Sequence, residues 1–435
     1  MRLELGDFPV TQVQLGDEFR YQSGTLVVDQ EELLTLVRRQ PQIRDAALGV
    51  AVPGENVRIT GIRDIVEPRV KGQGGGQVFP GALGPVALVG EGRTHRLSGT
   101  AVVATAEYEG TIRAGTAVQR SAILDMWGPG AEISRFSSLV NLVLILRLAP
   151  GIAELEAHTA IQRAEYEVAR RLAEVTIGLE PEMIEVFDLE TEKQKLPRIA
   201  LIQGCLTDSH HVHSGVSYCG LPIRDSLATV VHPNELLDGA VTVDTTRTGR
   251  GYYPTTWDWQ NHPLVLGLYK AHGKRLNFAG LILERIRFET YHGKEVIAHN
   301  TAQLAEIMRA DGVLVTWLGG GNAFVDVMLT LRACEQRGIH TVLVTYELGG
   351  KNGIDPPLLH YVPEADAIVS TGSRDPWIEL PVTERVVGPY NELKVLSYPG
   401  APLVSARGPL SIDSRDLIIG GVDIWGGESW TCREY

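Results

Sequence analysis

Apolar and polar positions follow two regimes along this chain. Up to about residue 150, short apolar runs are cut by Gly, Pro and Asp: TLVVD (25–29), VRITGIRDIVEPRV (57–70), GPVALVG (84–90) and GTAVVATAEYEG (99–110). Runs of this length and β-branched content predict strands, and EELLTLVRR (31–39) predicts a short helix. The segment 150–178 carries apolar residues at helical spacing, with Pro150 near its start and Gly178 behind it, where helix ends favour such residues. After a charged linker, TEKQKLP (191–197), the pattern changes. LPRIALIQGC, LNFAGLILERI, DGVLVTWLGGG, HTVLVTYELGG and ADAIVSTG are compact apolar runs that alternate with helical segments. Runs apolar on both faces need cover on both faces, which a mostly parallel sheet with crossover helices provides.

The expected fold class is therefore α/β. A β-rich domain is expected over 1–150, a connecting helix and linker over 151–196, and a Rossmann-like, mostly parallel α/β domain over 197–435. Segments 199–203, 278–283, 313–317, 341–345 and 367–370 are expected in one sheet.

A chain of 435 residues exceeds what one core usually supports, in keeping with that division. A net charge of −13 argues against a nucleic-acid partner, because no basic face easily offsets that field. LVNLVLILRLA (139–149) is the longest apolar run and is too short for a bilayer. The N-terminus MRLELGDF has no signal-peptide core, and four cysteines in such a chain make no disulfide framework. The expectation is a cytoplasmic protein without membrane attachment.

Three stretches hold candidate chemistry. In 311–350 a strand runs into Gly319-Gly320-Gly321-Asn322 and then a helix, which Asn322 is placed to cap. Glycines there let backbone approach a ligand, with Gly320, Gly321 and Asn322 as candidate binding residues. The spacing is not a dinucleotide fingerprint, so no nicotinamide cofactor is expected. LTDSHHVHSGVSYCG (206–220) follows a strand and gathers Asp208, His210, His211, His213 and Cys219. Zinc is one reading, but the spacing matches no usual structural zinc site, and an active-site loop with a histidine acid or base is preferred. VTVDTTRTGRGYY (241–253) ends a β-branched run with Thr245, Thr246 and Arg247, hydroxyls and a guanidinium suited to a carboxylate. Two other stretches read as structural: KGQGGGQVFPG (71–81) as a flexible loop, and GRTHRLSG (92–99) as a solvated hairpin tip bearing Arg93 and His95.

Several segments together resemble the component B α/β precursor subunit of glycine, sarcosine and betaine reductases, with the D-proline reductase proprotein as a more distant relative. They are VRITGIRDIVEPRVKGQGGGQVFPG, GRTHRLSGTAVV, ILDMWGPGAE, VARRLAEVTIG, HPNELLDGAV, HGKRLNFAG and VLVTYELGG, in order from roughly residue 1 to 420. The resemblance implies a substrate-binding subunit in a hetero-oligomer with a second component B-type chain that bears a reactive cysteine or selenocysteine. It implies reductive cleavage of a C–N or similar bond in a small polar metabolite. In that family the precursor cleaves itself before an internal cysteine, which becomes a pyruvoyl group and captures an amine as an imine.

Here the family's cysteine position, a few residues after Asp238-Gly239-Ala240, falls on Thr245 or Thr246, and no cysteine lies between 220 and 333. Neither a pyruvoyl nor a threonine-derived 2-oxobutanoyl group is expected, because a hydroxyl is a poor nucleophile without a dedicated base. Within the stretch only Asp244 offers one. Asp208, His210, His211, His213, Thr245 and Thr246 are the candidate catalytic residues. Arg247, Gly320, Gly321, Asn322 and Cys219 are the candidate substrate ligands. The competing expectation is a non-redox binding or scaffold subunit, or a stand-alone hydrolase using the histidine-rich loop.

Overall fold

The computed structural model describes residues 1–107, 122–190, 192–208, 215–244, 254–317, 321–352, 354–395 and 402–427. In the first half, besides a small three-stranded sheet of Gln12–Gly16, Arg20–Gln22 and Thr25–Asp29, the strands are β1 (Leu3–Asp7), β2 (Ile43–Ala51), β3 (Val57–Val66), β4 (Arg69–Gln73), β5 (Gly92–Arg96), β6 (Thr100–Glu107), β7 (Ala122–Asp125) and β8 (Val140–Leu148). Helix α1 (Gln30–Val37) starts where expected, because the Asp29 carboxylate accepts from the Glu32 N–H at 2.9 Å. The long helix α2 (Glu154–Ala173) leads to β9 (Met183–Phe187). One mixed sheet has the order β7–β3–β6–β8–β2, and a second has the order β9–β1–β5–β4. Helix α2 covers the first sheet with Ala157, Ile161, Ala164, Val168 and Leu172, all buried at helical spacing.

The second half begins with β10 (Arg198–Asp208), β11 (Gly215–Tyr218), β12 (Thr229–Val231) and β13 (Val241–Asp244). Helices α3 (Thr256–Gln260) and α4 (Pro263–Ala271) follow. Then come β14 (Asn277–Arg287), α5 (Tyr291–Ile307), β15 (Gly312–Trp317), α6 (Ala323–Glu335), β16 (His340–Glu347), β17 (Ile368–Ser373) and β18 (Arg385–Val387). The five runs expected in one sheet are in one sheet, of order β12–β14–β10–β15–β16–β17. Every pairing in it is parallel except that of the edge strand β12. Leu201, Ile202, Leu281, Ile282, Val313 and Val315 are buried, as continuous apolar runs in a covered sheet must be.

Two contacts cross the expected boundary at residues 150–196. Leu3 and Leu5 of β1 and Phe187 of β9 belong to the same core as the parallel sheet. In return β18 pairs with β3, and Arg58 of β3 ties the last third of the chain down. Its buried guanidinium makes a two-pronged contact with Asp125 at 2.6 and 2.9 Å. It also donates to the carbonyls of Ala406, Gly408 and Pro381. No described helix is long and apolar enough to cross a membrane.

Three readings of the sequence change. GPVALVG (84–90) forms no strand: Val86 and Leu88 are exposed, so the run has no core to pair against. His95 lies buried in β5 between β1 and β4, with its Nδ1 3.0 Å from the Thr176 hydroxyl, and Arg93 pairs with Glu4 at 2.8 Å. The stretch is a strand inside a sheet because its adjacent residues Thr94 and His95, on opposite faces, both find buried partners, which composition alone does not reveal. The glycine-rich segment is exposed over Gln73–Gly76 but packed at its end: Val78–Pro80 are buried, and Gly81, at φ +78, lies so close to the 219–220 turn that a Cβ there would stand 1.9 Å from the Cys219 carbonyl oxygen.

Replacing Arg58 by Ala leaves Asp125 charged and unpaired in the core, which should cost about 3–5 kcal/mol. Urea unfolding measures this loss. An Arg58→Met, Asp125→Leu double variant should recover most of it, and equal midpoints for wild type and Arg58→Ala would contradict the buried pair.

Candidate functional site

In the parallel sheet the chain goes from β10 to β14 on one side, then crosses to β15 on the other side of β10. Connections after β10 and after β15 therefore leave in opposite directions, and a crevice opens between their carboxyl ends. Open α/β sheets bind ligands at such a reversal. Gly204 of β10 pairs with Trp317 of β15, so the segment after Asp208 and the segment after Trp317 depart from neighbouring strand ends. The segment after β13 joins them: Gly215, which opens β11, pairs with Asp244, which closes β13.

The three candidate stretches are thus rooted together. His210, His211, His213, Thr245, Thr246, Arg247 and Gly320 themselves lie outside the described residues, as do the side chains of Asp208 and Asp244. Gly321 has φ +58 and precedes α6. Asn322 occupies the capping position with φ −61, yet its side chain caps nothing, because at that φ it already belongs to the helical turn. Cys219 sits half-buried at φ +48 in the turn after β11, and its N–H donates to the Ala240 carbonyl at 2.8 Å. Among the described residues no three His, Cys, Asp or Glu side chains cluster as metal ligands would.

Behind the roots lies a buried support. Asp238 accepts from the Gly90 N–H at 2.6 Å and the Thr94 hydroxyl at 2.5 Å, and forms an ion pair with Lys71. Lys71, Thr94 and Asp238 come from KGQGGG, GRTHR and LLDGAV, so three stretches far apart in sequence meet at one carboxylate. Gly239, at φ +77, leaves room for Phe79, which stacks on Tyr166 at 4.7 Å. On the other side of β13, Thr256 at the start of α3 gives its N–H and hydroxyl to Asp64, at 2.9 and 2.5 Å.

Below the crevice, His262 stacks on Trp425 at 3.9 Å and its Nε2 stands 3.0 Å from the Gln203 amide oxygen. That oxygen accepts, because the Gln203 amide nitrogen donates to Gly204 O at 2.9 Å, so the imidazole carries its proton on Nε2. Complete burial lowers the His262 pKa to about 3.

Thiol chemistry is suppressed throughout the described residues. Burial raises Cys205 well above the ordinary thiol value and Cys334 to about 12; burial and then Glu235 raise Cys219. None is an activated thiolate at neutral pH. Asp64, Glu165, Thr256 and His262 are residues the sequence reading did not single out. Asp64 interrupts the apolar strand GIRDIV, and Glu165 stands on the buried stripe of α2, four residues after Ile161; both are visible anomalies in hindsight.

The family model described as "Glycine/sarcosine/betaine reductase component B subunits" matches residues 1–433. The chain belongs to this family. Within it, the chain is 31% identical over 399 residues to the glycine reductase complex component B subunits alpha and beta of Acetoanaerobium sticklandii, covering 89% of each chain. It is 31% identical over 417 residues to the sarcosine reductase complex component B subunit alpha of Peptoclostridium acidaminophilum, covering 92% of each. It is 30% identical over 410 residues to the betaine reductase complex component B subunit alpha of the same organism, covering 92% of this chain and 90% of that one. No solved structure matches the chain.

Gly81→Ala should lower stability by about 2 kcal/mol or more, since left-handed backbone and a blocked Cβ act together. An unchanged urea midpoint would contradict the contact with Cys219. His262 gives a pH signature. A depressed histidine pKa contributes stability that is fully present above about pH 6.5 and is lost as pH falls towards about 3. Wild type should lose unfolding free energy over that window relative to His262→Gln, measured by urea titrations at successive pH values; parallel pH profiles would show that His262 is not buried neutral.

Proposed function

We propose that the chain is the substrate-binding subunit of a glycine/betaine reductase-like complex. Its task is to hold a small polar metabolite for reductive cleavage of a C–N or similar bond, with a thiol- or selenol-bearing partner chain. The observation that carries this reading is the common root of three candidate stretches at the sheet's reversal point, within a chain of component B descent. Arg247 is suited to grip a carboxylate with both prongs of its guanidinium, with Thr245 and Thr246 offering hydroxyls beside it. Asp208 and the histidines His210, His211 and His213, in the stretch that follows β10, are the candidate acid–base groups.

The described cysteines favour a partner-supplied reductant, because Cys205, Cys219 and Cys334 are all held as thiols. A cysteine-derived pyruvoyl group does not fit residues 241–253, which contain no thiol. The capture step in this reading is therefore non-covalent, by ion pairing and hydrogen bonds, and residues 241–253 stay uncleaved.

Intact mass of the denatured protein tests the last point: one species at 47.5 kDa is expected, whereas two fragments meeting near residue 245 would restore a keto-group mechanism. Co-purification from the native cell tests the partner. A recurring second chain with a reactive cysteine or selenocysteine supports the reductase complex; a chain that purifies alone and hydrolyses amides favours the hydrolase reading.

A further inference from the structure

Residues 245–253 join two described ends, Val243–Asp244 of β13 and Thr255–Thr256 at the start of α3, and one buried acid pair governs both. Thr256 gives its N–H and hydroxyl to Asp64, as above. The Thr256 oxygen in turn accepts from the Val243 N–H at 3.3 Å. Gln162 of α2 donates to the Val243 carbonyl at 2.8 Å, and the Tyr166 hydroxyl stands 3.3 Å from Asp64 and 3.1 Å from Thr256.

Next to Asp64 lies Glu165, completely buried, with neither carboxylate oxygen in a hydrogen bond. An ionised carboxylate in such a place has little to offset its lost hydration, so Glu165 holds its proton. Asp64 has two N–H groups, of Ile65 and Thr256, and two hydroxyls to stabilise its charge, so the two acids are driven apart in role. Among the described residues no Lys, Arg or His bonds either acid. From α2 the pair meets Gln162 and Tyr166, from α3 and β13 only amide and hydroxyl groups, and from β6 Ala104, the residue paired with Asp64. Asp258 of α3 is satisfied separately by Arg135 at 2.5 Å, and His158 lies two turns earlier on α2, about 10 Å along the helix.

We infer that Asp64, backed by neutral Glu165, is a positioning residue that sets the spacing of Val243 and Thr256, and so couples the proton content of this pair to the geometry at both ends of the threonine stretch. The functional weight of this coupling rests on the reading of that stretch as part of the substrate site. Burial raises the Asp64 pKa to about 7 and raises Glu165 well above the ordinary carboxylate range, with the Asp64 charge as the second cause. A carboxylate raised in this way stabilises the fold below its unfolded pKa, near 4, and that contribution is lost as pH rises through about 7.

Hydrogen exchange at the Val243 and Thr256 amides, corrected for intrinsic rates and measured without substrate, tests the inference. Wild type should lose about fivefold or more protection there as pH rises through 7, while the β15 and β16 amides hold. Asp64→Asn should retain the protection and abolish the pH step; Thr256→Val should raise Val243 exchange about tenfold. Glu165→Gln should keep the step near pH 7, because it replaces a protonated acid by a neutral amide of the same shape and leaves the burial of Asp64 unchanged. Identical pH profiles in wild type and Asp64→Asn would overturn the inference. Adding millimolar glycine or sarcosine separates the two claims. Absence of any ligand protection at 241–256 counts against the substrate-site reading and leaves the pH result standing.

Discussion

The parallel pairing of β10 with β15, at the point where strand order reverses, is the constraint on which the rest depends. A parallel sheet sends every strand's carboxyl end to one side, and reversal forces the two following segments apart. Two of the candidate stretches follow the carboxyl ends of these strands. Pairing of Gly215 with Asp244 brings the third stretch to the same spot without needing a strand of the main sheet.

Holding those roots in place takes buried charge, and this explains why the two halves interlock. Arg58, Asp238 and Asp64 each join segments more than sixty residues apart in sequence. Buried ion pairs are costly to desolvate and gain little over apolar packing, so their value lies in fixing which segments meet. Asp238 is the clearest case: it ties the paired strands that carry Lys71 and Thr94, and the Gly90 N–H, to a segment more than 140 residues further along the chain. A substrate site assembled from distant segments needs such fixed points, since misplacement of a binding group by an ångström costs most of its effect.

Much of the fold was legible because continuous apolar runs between helices have few solutions. The five runs of the main sheet and the helix at 154–173 follow from periodicity alone. Pairing partners were not legible. Nothing in GRTHR announces that His95 will be buried against Thr176, and nothing in LLDGAV announces that Gly239 leaves room for Phe79 to stack on Tyr166. The candidate site was legible as stretches, through glycines, histidines and threonines at strand ends. Its supporting acids were not, because Asp64 and Glu165 acquire meaning only when β3 and α2 bring them together.

The central claim is non-covalent capture of an amino-acid-type substrate by a component B chain lacking the family's cysteine. Incubation with glycine or sarcosine and cyanoborohydride, followed by peptide mass analysis, tests it most directly. The account predicts no adduct anywhere in the chain, because an uncleaved chain carries no keto group to form an imine. A borohydride-dependent mass increase equal to the reduced substrate adduct, located at a new N-terminus within residues 244–247, would contradict it.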